Sequence, residues 1–201
     1  MPSNAMKNIA ISLAFTGANG LFCFQALAQT PAPPPPEVRA SQPQAQLQGQ
    51  TTLRFLGLPI YDARLWAAPG FALEQFAQQP LVLELQYRRA LSGARIAERS
   101  IAEMRRQSGF DAAAAPVWAA QLTALFPDVA AGDRLTGAYT PEGGARFWHN
   151  GRALGTLDDV RLARLFFGIW LSPQTSEPTL RCELAACTAP GAATRTGATG
   201  G

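Results

Sequence analysis

Two turn signatures set close together in "TGAYTPEGGARFWHNGRALG", residues 136–155, most constrain what this chain can fold into. Asn150-Gly151 suits a type I′ hairpin, which needs positive φ at both central residues, and Pro141–Gly144 supplies a second reversal. Apolar and aromatic residues flank both turns, so residues 133–157 read as a three-strand meander. Short turns join only antiparallel neighbours, which fixes the sense of the sheet. His149, the single histidine, reads as the residue before a turn near a solvent-facing edge. It lacks the Cys, Asp or His companions at fixed spacing that a metal site shows.

The rest of the pattern is mixed. "TTLRFLG" and "PIYDARLWA" predict two strands separated by a kink at Gly57–Pro59. In the second, Ile60, Asp62, Arg64 and Trp66 alternate with Tyr61, Ala63 and Leu65. "LVLELQYRR" predicts a third strand with Leu81, Leu83, Leu85 and Tyr87 on one face. Ser92 can cap a helix striped by Ile96, Ile101 and Met104, and Pro116 suits the first turn of another that runs to Phe126. A last long helix is predicted from near Asp158-Asp159 to Pro173, so apolar from Phe166 to Trp170 that it must be deeply covered. Strands on both sides of a helical middle predict an α+β fold: an antiparallel β-sheet with helices packed on one face.

The chain ends have a different character. Lys7 precedes a mostly apolar run from Ile9 to Leu27 that closes on Ala26-Leu27-Ala28, the pattern of a signal peptide over residues 1–28 cleaved near Ala28. A retained anchor is the alternative, although no stop-transfer pattern follows. The expectation is a periplasmic or secreted protein with no stable membrane span after cleavage. Residues 29–48 are proline-rich and read as an extended linker, residues 49–187 as one domain, and residues 188–201 as a disordered tail. Cleavage discards Cys23 and leaves Cys182 and Cys187, an even pair that an oxidising compartment would join as a disulfide over a short loop. Two cysteines without further Cys or His nearby make a weak zinc site, and no metal ligand set is expected.

Charge excludes one class of partner. The chain carries 17 basic and 14 acidic residues, with Lys7 its only lysine, and the arginines beyond it form no long basic stripe. Nucleic acid is therefore not an expected partner. Catalytic templates are missing too: no glycine-rich phosphate loop, no G-x-S-x-G elbow, no cysteine with a histidine partner in a motif. Arg54 stands out between Leu53, Phe55 and Leu56, either with its guanidinium against a buried surface or as a snorkelling edge arginine. Tyr61 and Tyr87 read as amphipathic strand residues of core or rim.

In order, "LRFLGLPIYDARLWA", "LVLELQYRRALSGARIAERSIAEM", "LFPDVAAGDRLTGAYTPEGGARFWHNGRALG" and "FFGIWLSPQTSEPTLRCEL" resemble the chalcone isomerase-like family, in its secreted bacterial branch. The resemblance spans about residues 50–186 and rests most on "IYDARLW", Gly132-Asp133, "TPEGG…NGRALG" and "IWLSP". It implies an open-faced β-sandwich, a sheet with helices on one side and an apolar cleft between them, and a family that includes fatty-acid and haem binders. Its plant enzymes cyclise chalcones without a cofactor, holding the substrate oxyanion with a strand arginine and polarising the ketone with a tyrosine and a threonine. Carried onto this chain, Arg54 takes the arginine position, Tyr61 stands where the threonine should be, and Ile96 falls on the tyrosine. Arg99 and Glu103 replace a lysine and an asparagine. Ile96 cannot donate a hydrogen bond, and losing one such donor commonly lowers rates by roughly 10²–10³-fold. The resemblance thus implies a non-catalytic binder of a small hydrophobic or amphipathic ligand, with no cofactor and with Arg54, Tyr61, Ile96 and Arg99 at the site. The alternative is an intramolecular lyase of the chalcone isomerase type acting on an enone or phenolic substrate through Arg54 and Tyr61.

Overall fold

The computed structural model describes residues 33–186. The signal-peptide segment, Cys187 and the tail lie outside the described residues. Six strands follow one another as an antiparallel meander: β1 (Gln46–Phe55), β2 (Leu58–Ala67), β3 (Leu81–Tyr87), β4 (Arg134–Thr140), β5 (Gly144–His149) and β6 (Arg152–Leu157). A six-residue helix, α1 (Pro36–Ser41), precedes them. Helices α2 (Gly93–Met104) and α3 (Ala115–Leu125) join β3 to β4, and α4 (Val160–Leu171) and α5 (Pro178–Leu184) follow β6. The class is α+β, as the patterning predicts.

Local chemistry accounts for most boundaries. Asn150 and Gly151 adopt φ of +52° and +81°, as a type I′ turn requires. Ser92 accepts from the Arg95 N–H at the start of α2. Asp159 caps α4 through the N–H groups of Arg161 (2.8 Å) and Leu162 (3.1 Å), and also accepts from the Trp118 indole of α3 (3.0 Å). Burial opposes ionisation of Asp159, but these donors more than offset it and hold the carboxyl below its usual range. The expected kink at Gly57–Pro59 is instead a two-residue hairpin turn. Phe55 pairs with Leu58, and Leu56 and Gly57 between them take φ of +49° and +79°. Leucine is a poor residue for that place, which is why the turn is illegible in sequence.

The inner face of the sheet, with Leu65, Leu83, Leu85, Tyr139 and Phe147, is covered by α2, α4 and α5. Phe126, Phe147, Phe166 and Phe167 form its densest part, with ring centroids 5.3–6.2 Å apart in edge and stacked pairs that include Tyr139. Burying each such ring stabilises the fold by roughly 1.5–3 kcal/mol. Helix α5 reaches β1 only because residue 49 is glycine: a Cβ there would lie 2.2 Å from the Glu183 carbonyl oxygen.

The linker expectation is corrected from residue 36 onward. Residues 36–41 are helical and residues 46–48 already belong to β1. Val38 is fully buried on the outer face of the sheet against Trp66, Val82 and Ala138. Glu37 accepts from Arg134 Nη2 (2.8 Å) and from the Thr136 hydroxyl (3.0 Å). The proline run suggests an unfolded spacer, yet Pro36 sits in the first helical turn, where a missing N–H costs nothing. One valine and one glutamate then find partners that only the folded sheet provides. Glu37→Ala should therefore lower the unfolding free energy by about 2 kcal/mol in denaturant titration, since it strands Arg134 and Thr136. Exposed Arg39→Ala should leave it unchanged, whereas a free linker would make both variants silent.

Candidate ligand cavity

A cavity of about 560 Å³ lies between the inner face of the sheet and helices α2 and α4. Its enclosed side is apolar, lined by Leu83, Leu85, Phe147, Phe166 and Phe167. Its open side is charged: Arg54 from β1, Arg95, Glu98, Arg99 and Glu103 from α2, and Glu177 before α5. Arg54 and Arg99, expected at the site, are thus two of three arginines that share the mouth with three glutamates. Phe166, Phe167 and Trp170 line the hollow without filling it.

All four residues singled out in the sequence reach this cavity, in unequal roles. Arg54 is exposed at the rim, where its Nη1 donates to the Gly57 carbonyl at 3.4 Å, so the snorkelling edge position is the one observed. Ile96 is a half-buried apolar wall on α2. Arg99 is already paired with Glu103 (2.6 Å), one helical turn away. The other Glu103 oxygen is buried with no hydrogen bond among the described residues, and Arg106 Nε stands 4.0 Å from it. Tyr61 is the informative member. Its hydroxyl oxygen accepts from Trp170 Nε1 at 3.0 Å, and its own proton has no acceptor among the described residues.

Tyr87, read from sequence as core or rim, belongs to the same site. It pairs with Tyr61 across β2 and β3, and the rings meet edge to face at 5.8 Å. The ring is 2% exposed, lines the cavity, and its hydroxyl has no hydrogen bond among the described residues. The alternation that places Tyr87 beside Leu85 is visible in the sequence, but its pairing with Tyr61 needs the strand register. Burial pushes both phenols well above their ordinary range, against the Trp170 bond at Tyr61 and with the neighbouring Tyr61 adding to the effect at Tyr87. Glu177, Arg99 and Glu103 line the same cavity as Tyr61. The site can therefore offer two protonated O–H donors above an apolar hollow.

Other chemistry-bearing groups sit elsewhere. His149 Nε2 is 3.3 Å from Asp133 at the β5–β6 turn, half-buried and not part of the cavity wall. Cys182 lies on α5, while its expected partner Cys187 is outside the described residues. Among the described residues, no cluster of three or more His, Cys, Asp or Glu could hold a metal, and no helix is long and apolar enough to cross a membrane.

Fold and cavity together define a class: a single antiparallel sheet roofed by helices, with a ligand-sized hollow between the layers. A family model described as chalcone isomerase-like matches residues 34–185, and the chain belongs to that family. Among solved structures it is similar to a fatty-acid binding protein of Arabidopsis thaliana, with 11% identity and a TM-score of 0.56 over 71% of this chain and 87% of that one. At such identity the likeness is one of fold. No curated protein sequence matches the chain.

All three tyrosines of the chain, Tyr61, Tyr87 and Tyr139, are held protonated above their ordinary range, each chiefly by burial. An unfolded tyrosine loses its proton near pH ~10, so above that the unfolded state binds fewer protons than the folded one. Stability present below pH ~10 should then fall by about 1.4 kcal/mol per pH unit for each tyrosine. In the native protein phenolate absorbance just above pH ~10 should not exceed that of Tyr139, which lies outside the cavity; early titration of two or more tyrosines would contradict the enclosed site.

Proposed function

We propose that the protein is a non-catalytic binder of an amphipathic acid such as a fatty acid, with the tail among Leu83, Phe147 and Phe167 and the polar end at Tyr61 and Tyr87. One observation carries this reading: a largely apolar cavity of about 560 Å³ opens beside two phenol donors, buried Tyr87 and half-buried Tyr61, that have no acceptor among the described residues. The volume falls within the roughly 300–1,000 Å³ of small-molecule sites, which are mostly apolar with a few placed polar groups. A carboxyl offers two oxygens to such a pair of donors. The fatty-acid binding protein of similar fold supports the ligand class. Arg54, solvated at the rim, adds a weaker and salt-sensitive attraction. The same placement argues against a cyclase of the chalcone isomerase type, because a solvated guanidinium stabilises an oxyanion poorly and Ile96 has no polar atom to replace the missing donor. We place the mature protein outside the cytoplasm, after cleavage near Ala28.

Calorimetric titration with a C16 fatty acid tests the reading. Wild type should bind, Tyr61→Phe and Tyr87→Phe should each weaken binding about 2–10-fold, and Arg54→Ala should cost no more than about 5-fold. No binding by wild type, or undiminished binding by the double Tyr→Phe variant, would sink the assignment. Cyclisation of a 2′-hydroxychalcone faster than its spontaneous rate would transfer the site to the lyase alternative. Mass measurement of the exported protein should give an N-terminus at Gln29.

A further inference from the structure

The turn between β1 and β2 carries exposed apolar side chains, of which Leu56 and Leu58 take no part in lining the cavity. Phe55, Leu56 and Leu58 are 61%, 86% and 52% exposed, three of only five large apolar side chains so exposed among the described residues. Leu56 occupies the left-handed region, at φ +49°, where asparagine or glycine is the favoured residue. It breaks a local rule with no contact in the fold to offset the strain, which is the mark of a position kept for something outside the fold.

The surroundings of the tip select a partner. From Leu53 to Tyr61 the sole charge is Arg54. Arg88, whose N–H donates to the Ile60 carbonyl at 2.8 Å, brings Arg88 and Arg89 against the base of the hairpin. Arg88 is held by Asp62 (2.7 Å), whereas Arg54, Arg89 and Arg95 make no ion pair with any described residue. Glu98 and Glu103 of α2 and Glu177 before α5 face the same mouth, Glu103 being paired with Arg99, but no acid lies on the tip itself. An apolar point with a collar of arginines is the arrangement that seats in the headgroup layer of an anionic bilayer. Three side chains fall well short of the roughly 800 Å² per partner that a stable protein interface needs.

The tip is also the rim of the cavity. Arg54, Phe55 and Ile60 line the mouth, and a bulge at Ile60, left unpaired between Arg54–Pro59 and Leu53–Tyr61, bends the strand there. We infer that the Phe55–Leu58 hairpin tip, with Arg54 and Arg95 at the adjoining mouth and Arg89 next to Arg88 at the hairpin base, docks the protein on the surface of an anionic phospholipid bilayer with the cavity mouth facing the lipid. Docking itself is independent of the ligand; its use, passing an amphipathic acid between bilayer and cavity without exposure to water, rests on the proposed function.

The test uses the full chain and vesicles of phosphatidylglycerol with phosphatidylcholine, against phosphatidylcholine alone. In Leu56→Trp the added indole emission should shift to the blue with the anionic vesicles, less so with the zwitterionic ones and less in high salt. Leu56→Asn/Leu58→Thr, which replaces no cavity-lining residue, should reduce flotation with anionic vesicles about 10-fold. That variant should melt no lower than wild type, because asparagine suits the turn, so weaker flotation cannot be blamed on misfolding. Its fatty-acid affinity in vesicle-free solution should equal that of wild type, which keeps failure of docking separate from failure of the binding site. An unshifted Leu56→Trp emission, or flotation of the double variant equal to wild type, overturns the proposal. So does loss of a dimer in the double variant with vesicle binding intact, which would assign the tip to a second copy of the chain.

Discussion

Phe166 and Phe167 leave the same turn of α4 and both meet Phe147 of β5, at centroid distances of 5.4 and 6.2 Å. Phe126 and Tyr139 close the cluster on either side. This contact sets how far the helical layer stands from the sheet. Aromatic rings are too large to let α4 settle onto the strands, so the layers are held apart where the side chains facing each other are smaller or face polar groups. The cavity adjoins this cluster, and Phe126, Phe147, Phe166 and Phe167 form part of its wall. Trp170, one turn further along α4, extends the same row and donates to Tyr61 across the gap, fixing the phenol on the wall of the hollow.

The polar groups of the molecule divide by face. On the outer face, Glu37 and Glu84 are nearly inaccessible and each meets partners on the sheet: Arg134 and Thr136 for the first, Arg64 and Trp66 for the second. Those pairs pin α1 and the central strands. On the inner face, Tyr61 and Tyr87 hold spare donors, and of the three arginines at the mouth only Arg99 is ion-paired. Among the described residues Glu37 Oε2 and Gln42 Nε2 also lack partners beside α1, but the spare phenol donors and Arg54 and Arg95, which make no ion pair, share one opening, where a ligand and, at the hairpin tip, a lipid surface can meet them.

Legibility followed the range of the interaction involved. Asn150-Gly151, Ser92 and Asp159 act within a few residues of themselves, and the sequence predicts the turn and the helix starts that they make. The alternation of β2 and β3 likewise reveals which residues share a face. Three features resisted. Helix α1 depends on Val38 meeting Trp66, Val82 and Ala138, residues distant in the chain. The β1–β2 turn places leucine where propensity argues against it. Tyr87 becomes a site residue only because register sets it opposite Tyr61.

The sequence by itself determined the antiparallel meander, the capped helices, the fold class and, through resemblance, the family, because these rest on period, turn chemistry and caps that are encoded locally. Only the tertiary structure decided that Arg54 stands in water at a rim, that Arg99 is occupied by Glu103, that two phenols share one hollow, and that the hairpin tip is bare. The shared hollow of the phenols, and the place of Arg54 and the hairpin tip at its mouth, join segments far apart in the chain through strand register and the packing of sheet against helix, which no single segment encodes; Arg99 and Glu103 are only one turn of α2 apart, and packing decides that this pair borders the cavity.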